Sequence, residues 1–369
     1  MSYQDTYQSW RNSPVLSQEE KAELAAIQND EKEIESRFFE QLSFGTAGLR
    51  GTMGMGLYRM NVYTVRHATQ AFAQVILAEG PEAVARGVAV CYDCRNNSAL
   101  FAQEAAKVMS CNGIPVRLFD ALRPTPELSF AIREYGCIAG INITASHNPK
   151  EYNGYKVYWE DGAQLPPRHA DEVAKIMQGL DVLTGAKLQS ENPAPITMMG
   201  QETDEKFLAN VMAQVNDQAA VEKVADTFKM VYTPFHGTGH KLIPEALKRL
   251  GMKHVICVPE QMVIDGDFPT VASPNPENPE GFAQDKVRPR RGPGGHHGQH
   301  RKRRVQGAHR QPDRRTAAGL FDRGHEAHRQ AAPKSRGAEN HRHHRDGQGR
   351  GRELRRKVLR HLYRLQVHR

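Results

Sequence analysis

Between Val88 and Ile143 the chain alternates between short apolar runs and helical stretches, an order that few folds can satisfy. Val88 to Tyr92 reads as a strand, Ala99 to Cys111 as a helix, and Val116 to Phe119 as a strand. Pro126 to Tyr135 reads as a helix with proline at its start, and Ile138 to Ile143 as a further strand. Strands separated by whole helices cannot close as hairpins, so they pair in parallel through crossovers. The expected class is α/β. In open sheets of this kind ligands collect beyond the carboxyl ends of the strands, which singles out the residues just after Tyr92 and just after Ile143.

After Ile143 comes Thr144-Ala145-Ser146-His147-Asn148-Pro149, a polar loop closed by an Asn-Pro pair. Asn153-Gly154 then reads as a turn, and Tyr155 to Tyr158 as an alternating strand with Lys156 on the opposite face from Val157. A hydroxyl, an imidazole and an ammonium in one loop and its return strand suit phosphoryl transfer. Taken alone, a Ser-His pair in a loop is an ordinary turn residue beside a solvated histidine. Acyl hydrolysis fits poorly, because neighbours in sequence at a strand end are expected to point apart, Ser146 lacks a G-x-S-x-G elbow and no acid can be assigned to orient His147. Asp93 and Arg95 leave another strand end and border the same crevice, either as ligands or as an ion pair that pins the loop.

The formal charge of +8 invites a nucleic-acid or membrane reading until the chain is divided. Lys286 to Arg369 holds 25 basic against 6 acidic residues, whereas residues 1–285 hold 25 basic against 36 acidic. The body is acidic, as is ordinary for a cytoplasmic enzyme. Cys91, Cys94, Cys111, Cys137 and Cys257 are odd in number and lie mostly in apolar contexts, so they read as free thiols; Cys91-x-x-Cys94 stands without a second pair. The stretch Met1 to Trp10 has no apolar core, and no run of about 18 apolar residues exists for a membrane span.

In order, residues 1–43 form a helical extension, with a capping box at Ser17-Gln18-Glu19-Glu20 and a second helix from Asp30 to Leu42. Residues 44–183 form a first domain. It opens on the glycine-rich stretch Phe44 to Gly56, which carries Arg50, and continues in a helix capped by Asn61. Pro166-Pro167 starts a helix to about Leu180, and residues 184–201 read as a linker. Residues 202–284 form a second, partial domain, with helices Glu202 to Val215 and Lys241 to Leu250 and strands Lys229 to Tyr232 and His254 to Val258. Its turn Phe235-His236-Gly237-Thr238-Gly239 is either an anion nest or a tight connection that needs glycine.

Four strings in order, Phe44 to Gly51, Tyr92 to Ser98, Thr144 to Pro149 with Tyr152 to Lys156, and Thr233 to Gly239, resemble the α-D-phosphohexomutases, the phosphoglucomutase and phosphomannomutase family. The likeness runs from about Phe44 to about Gly281. It implies phosphohexomutase-type mixed or parallel α/β domains, the first complete and the second truncated. It implies a phosphoserine at Ser146, which passes its phosphoryl group to a glucose or mannose monophosphate and takes the other phosphate back. By the same resemblance His147 assists proton transfer or holds the loop, and Lys156 stabilises the transferring group. Arg50, Arg95 and Asn148 bind phosphate. Mg²⁺ is the expected cofactor, held by the phosphate of Ser146 together with a D-x-D-x-D-R loop, and a hexose bisphosphate is the expected activator. Sugar phosphates are the expected partners, with no membrane association.

The pattern then departs from the family. No D-x-D-x-D-R string comes after Pro274 to Gly281; Asp265-Gly266-Asp267 precedes it, lacks the third aspartate and the arginine, and reads as a turn. The family's sugar-selecting and terminal phosphate loops are also missing, so impaired or absent turnover is expected. Residues 285–369 are Arg-, His- and Gly-rich with few apolar residues, a composition that predicts disorder. One reading is a basic arm for nucleic acid, non-specific and without interleaved aromatics. The other is a shifted reading frame. The codons of Glu339 to Asp346, read one base later, permit lysine, threonine, isoleucine, valine, threonine, threonine and glutamate, a strand-forming string.

Overall fold

Three short helices open the chain, and each begins where a side chain satisfies an amide the helix itself cannot. Ser2, Ser17 and Asp30 accept from the backbone N–H three residues on, starting α1 (Tyr3–Arg11), α2 (Gln18–Ala26) and α3 (Glu31–Phe38). Their inner faces form a small core in which Trp10 meets Phe38 and Tyr63 edge-on, at 5.7 and 5.9 Å between ring centroids. Helix α3 ends at Phe38, short of the expected Leu42, because Leu42 and Phe44 turn into the main core and leave Phe39 exposed. The structure is a computed structural model that describes residues 2–46 and 48–285, apart from the side chains of 283–285. The basic tail expected from 285, with both readings of it, lies outside the described residues but for Asp285.

The main sheet is assembled from β1 (Leu49–Thr52), β2 (Val88–Tyr92), β3 (Val116–Phe119), β4 (Ala139–Ile143), β5 (Tyr152–Trp159) and β6 (Ile196–Met199), in the spatial order β1-β5-β4-β2-β3-β6. Strands β4, β2, β3 and β6 run parallel, while β5 is antiparallel to β4 and to β1. The sheet is therefore mixed with a parallel centre. Every residue of β4, and all of β2 except Tyr92, is buried, as expected of strands covered on both faces. Helices α4 (Val62–Ala78), α6 (Ser98–Cys111) and α8 (Pro167–Gln178) cover one face, and α7 (Thr125–Glu134) covers the other. Asn61 caps α4, of whose 17 residues 12 are buried. A short α5 (Pro81–Arg86) leads into β2 without an apolar stripe to predict it.

Two assignments change. Asn153 and Gly154 lie inside β5, not in a turn: the chain reverses earlier, where the Tyr152 amide donates to Pro149 O, and the buried Asn153 side-chain amide donates to Asn96 O and Ser98 Oγ. Strand β6 falls within the stretch expected to be a linker. Three of its four residues are exposed and Pro195 precedes it, so burial leaves no alternation to detect.

The chain continues within the same compact unit through α9 (Gln201–Ala213), α10 (Gln218–Ala225), β7 (Lys229–Tyr232), α11 (Gly239–Arg249) and β8 (His254–Cys257). Strands β7 and β8 pair in parallel as a two-stranded sheet. Val231 and Ile256 on it are 42% and 43% exposed. No helix among the described residues is long and apolar enough to cross a membrane.

Candidate active site

Strand β4 delivers the loop from Thr144 onto the carboxyl edge of the parallel strands, beside the loop that leaves β2. Ser146 lies at its apex with φ +58°, a left-handed conformation that a non-glycine residue rarely holds without support. The support is identifiable. Thr144 Oγ1 accepts from the Ser146 amide at 3.0 Å, and Ser146 O accepts from Arg95 Nη2 at 2.9 Å. Arg95 also donates to the carbonyls of Asn148, Pro149 and Tyr152 at 2.6, 2.9 and 3.0 Å. Its side chain is 1% exposed, with Nε 3.4 Å from Asp93, whose carboxylate in turn accepts from the Arg95 amide and from Ser98 Oγ. The guanidinium is thus spent on the loop's own carbonyls, and Arg95 is a positioning residue. These are the contacts of an ion pair that pins the loop.

Three basic side chains come from the Ser146 loop and the strands that flank it. His147 Nδ1 lies 3.4 Å from Ser146 Oγ, so these sequence neighbours face one another and do not point apart as expected, because Ser146 has left the extended conformation. Arg50, on β1, is paired with Gly154 of β5, and Lys156 lies two residues along β5 on the same face. Arg50 Nη1 donates to Asn148 Oδ1 at 3.2 Å, which makes Asn148 a tether for Arg50. Lys156 is half-buried and makes no hydrogen bond or ion pair among the described residues. Burial first, and the neighbouring Arg50 charge second, hold its ammonium below the usual lysine range. A half-buried cation that no carboxylate contacts among the described residues, beside a second cation, has the electrostatics of an anion site. The close approach of Gly48 (φ +80°) fixes the cradle's floor, since a Cβ there would collide with Tyr155 O.

Other sequence candidates resolve differently. In the turn from Phe235 to Gly239, the amides of Phe235, His236 and Gly237 donate to Thr233 Oγ1, Gln261 O and Pro234 O, so these groups are not available to an anion. His236 is buried, with its ring nitrogens 2.7 Å from Val263 O and from Thr270 Oγ1; the turn is a tight connection. All five cysteines are free. No group of three His, Cys, Asp or Glu side chains gathers among the described residues. Asp265 accepts from the Asp267 amide, and Asp267 faces Asn96 and Lys150, so these two carboxylates do not fit a metal loop. Sequence reasoning passed over Thr144 and Phe268, because one acts through a backbone amide and the other comes from 172 residues beyond Asn96, on a loop with no motif of its own.

Comparison with known proteins converges on one family. Residues 41–182 match phosphoglucomutase/phosphomannomutase alpha/beta/alpha domain I, and residues 205–288 match domain II. A Staphylococcus haemolyticus phosphoglucomutase is 38% identical over 256 residues, covering 67% of this chain and 44% of that protein. A Mus musculus phosphopentomutase is 34% identical over 286 residues, covering 74% of this chain and 45% of that protein. The chain thus spans less than half the length of these relatives. A solved Thermus thermophilus structure assigned as a phosphomannomutase shares the fold, with a TM-score of 0.55 at 22% identity over 66% of this chain and 51% of that one. With both domain matches in sequence order and the serine loop at the edge of the first domain's sheet, the chain belongs to the phosphoglucomutase/phosphomannomutase family.

Proposed function

We propose that this chain is the nucleophile-bearing part of a phosphosugar mutase, an isomerase that moves phosphate between positions of one sugar through a phosphoserine at Ser146. The observation that carries the reading is the left-handed Ser146, propped by Thr144 and Arg95, with a Lys156 ammonium that is unpaired among the described residues two positions beyond the partner of Arg50. Ser146 Oγ bonds to phosphorus as the bond from phosphorus to the sugar oxygen breaks. The Oγ proton passes to His147, and the sugar oxygen leaves as a hydroxyl with a proton from solvent. In this reading Lys156 and Arg50 stabilise the charge that spreads over the equatorial oxygens, since a loose transition state asks chiefly for charge and positioning.

The substrate reading is a glucose or mannose phosphate, converted between its 1- and 6-positions with the hexose bisphosphate as intermediate and activator. Similarity to a phosphopentomutase makes ribose phosphates the second substrate to test. Mg²⁺ would draw one oxygen ligand from the Ser146 phosphate, but the described residues offer no carboxylate set to complete its shell, so no step is routed through it. Full turnover is accordingly proposed to be weak or absent in this chain, while phosphoryl uptake at Ser146 is retained. Binding of nucleic acid is confined to non-specific attraction by the basic tail, and the setting is cytoplasmic.

The test is incubation with glucose 1,6-bisphosphate or ribose 1,5-bisphosphate, and then peptide mass spectrometry. A phosphate on Ser146, absent from Ser146→Ala and slowed by about 10² to 10³ in Lys156→Ala, is the expected result. Failure of both donors to modify Ser146 overturns the reading.

A further inference from the structure

A loop of the second domain reaches the Ser146 loop from outside. Gly266, Asp267 and Phe268 lie against the segment Cys94 to Asn96 beyond β2. Phe268 is buried at 5% exposure, and its ring lies under the Arg95 guanidinium, 5.4 Å from Cζ to the ring centroid. Phe268 has φ +51°, a strained setting for an aromatic residue that persists only where packing over-determines it. Gly266 sits so close to the first domain that a Cβ would meet Asn96 N at 2.6 Å and Cys94 O at 2.9 Å. Asp267 bridges both loops, at 3.3 Å from Asn96 Nδ2 and 3.4 Å from Lys150 Nζ, although this pair is exposed and weak. The buried, strained contact is the one between Phe268 and Arg95.

Arg95 is also the group that holds four carbonyls of the nucleophile loop, so whatever fixes its plane fixes Ser146. We propose that Phe268 is a positioning residue for Ser146: the second domain, by closing its 265–268 loop over Arg95, locks the left-handed conformation of the nucleophile. This rests on the phosphoryl-transfer reading only for its consequence in chemistry. The mechanical part stands apart from it.

Two variants of the full chain test it, Phe268→Ala, which removes the ring, and Gly266→Ala, which keeps the ring and wedges the loop off Asn96. Hydrogen exchange read by mass spectrometry should show the 145–150 segment exchanging about three- to tenfold faster in both, as loss of a desolvated cation–π contact implies. The buried strand 139–143 serves as the internal reference and should be unchanged. Phe268→Trp should restore wild-type exchange, and the rate of Ser146 phosphorylation by glucose 1,6-bisphosphate should fall in the two alanine variants and recover in the tryptophan one. Unchanged exchange at 145–150 with the 139–143 reference intact overturns the proposal. If the wild-type chain takes up no phosphate yet exchange responds as expected, the phosphoryl-transfer reading falls and the positioning role stands.

Discussion

Replacing Arg95 by alanine should lower the unfolding free energy by about 3–5 kcal/mol, read from urea denaturation. The guanidinium makes four carbonyl hydrogen bonds and faces Asp93 from a side chain that is 1% exposed. Its removal leaves a carboxylate and several carbonyls without their donor, and each buried unsatisfied group costs about 1–3 kcal/mol. The loop can relax toward water at Ser146, which keeps the sum below that of independent losses. Against a typical total of about 5–15 kcal/mol the change is severe. Arg95→Lys should recover less than half of it, because an ammonium has three donors on one point and cannot span carbonyls from residues 146 to 152. The same variants should fail to hold Ser146 left-handed, so phosphoryl uptake should fall further than stability predicts. Equal stability of Arg95→Lys and wild type would show that charge and not the planar fork holds the loop.

How much of this was legible in the sequence depends on what each residue touches. Strand β4 and its loop were visible because Ile138 to Ile143 is a continuous buried run that ends abruptly in polar residues. Lys156 was visible because alternation on β5 sets its face. The role of Arg95 was left open between ligand and pin, since its partners are carbonyl oxygens 51 to 57 residues away and a carbonyl has no signature in a sequence. Asn153-Gly154 carries a turn signature but is claimed by the ladder with β1, where Gly154 faces Arg50. Strand β6 was hidden because an exposed edge needs no alternation. Asp265-Gly266-Asp267 was correctly read as a turn; that it carries Phe268 onto Arg95 depends on how the second domain packs on the first, which no local pattern encodes.

The packing of α9 and α11 near α7 creates a second dependence, one that is set by pH. Arg123 Nε and Lys241 Nζ each lie 2.5 Å from Asp204, whose side chain is 3% exposed, with Asp120 3.2 Å from Arg123 on the outer side. Glu127, on α7, is fully buried in the same cluster; neither carboxyl oxygen finds a hydrogen-bond partner, and Arg123 Nε stands 3.8 Å away. Burial first and the Asp204 carboxylate second push Glu127 up from 4.5 to about 8, whereas Asp204 is held below the usual range by Arg123 and Lys241 against the opposing effect of its own burial. His240, on α11, is held below the usual histidine range by burial first and then by these cations. Glu127 therefore keeps its proton on folding at a pH where the unfolded chain has lost it.

A folded value raised above the unfolded one stabilises at low pH, and that contribution is lost as pH rises from about 4.5 to about 8. At roughly 1.4 kcal/mol per unit the loss is on the order of 5 kcal/mol. Glu127→Gln keeps the shape of the neutral side chain and cannot ionise. Its unfolding free energy minus that of wild type should be near zero at about pH 5 and rise by about 3–5 kcal/mol by about pH 9, the variant being the more stable. Burial lowers His67 as well as His240, which gives both proteins an opposing slope at acidic pH, but that slope cancels in the difference. Urea titrations of both chains at matched pH supply the curve. A difference that stays flat from about pH 5 to about pH 9 would mean Glu127 is ionised throughout, with Arg123 serving two buried carboxylates; a rising one means that the contact between the two domains holds a proton and loosens as it is lost.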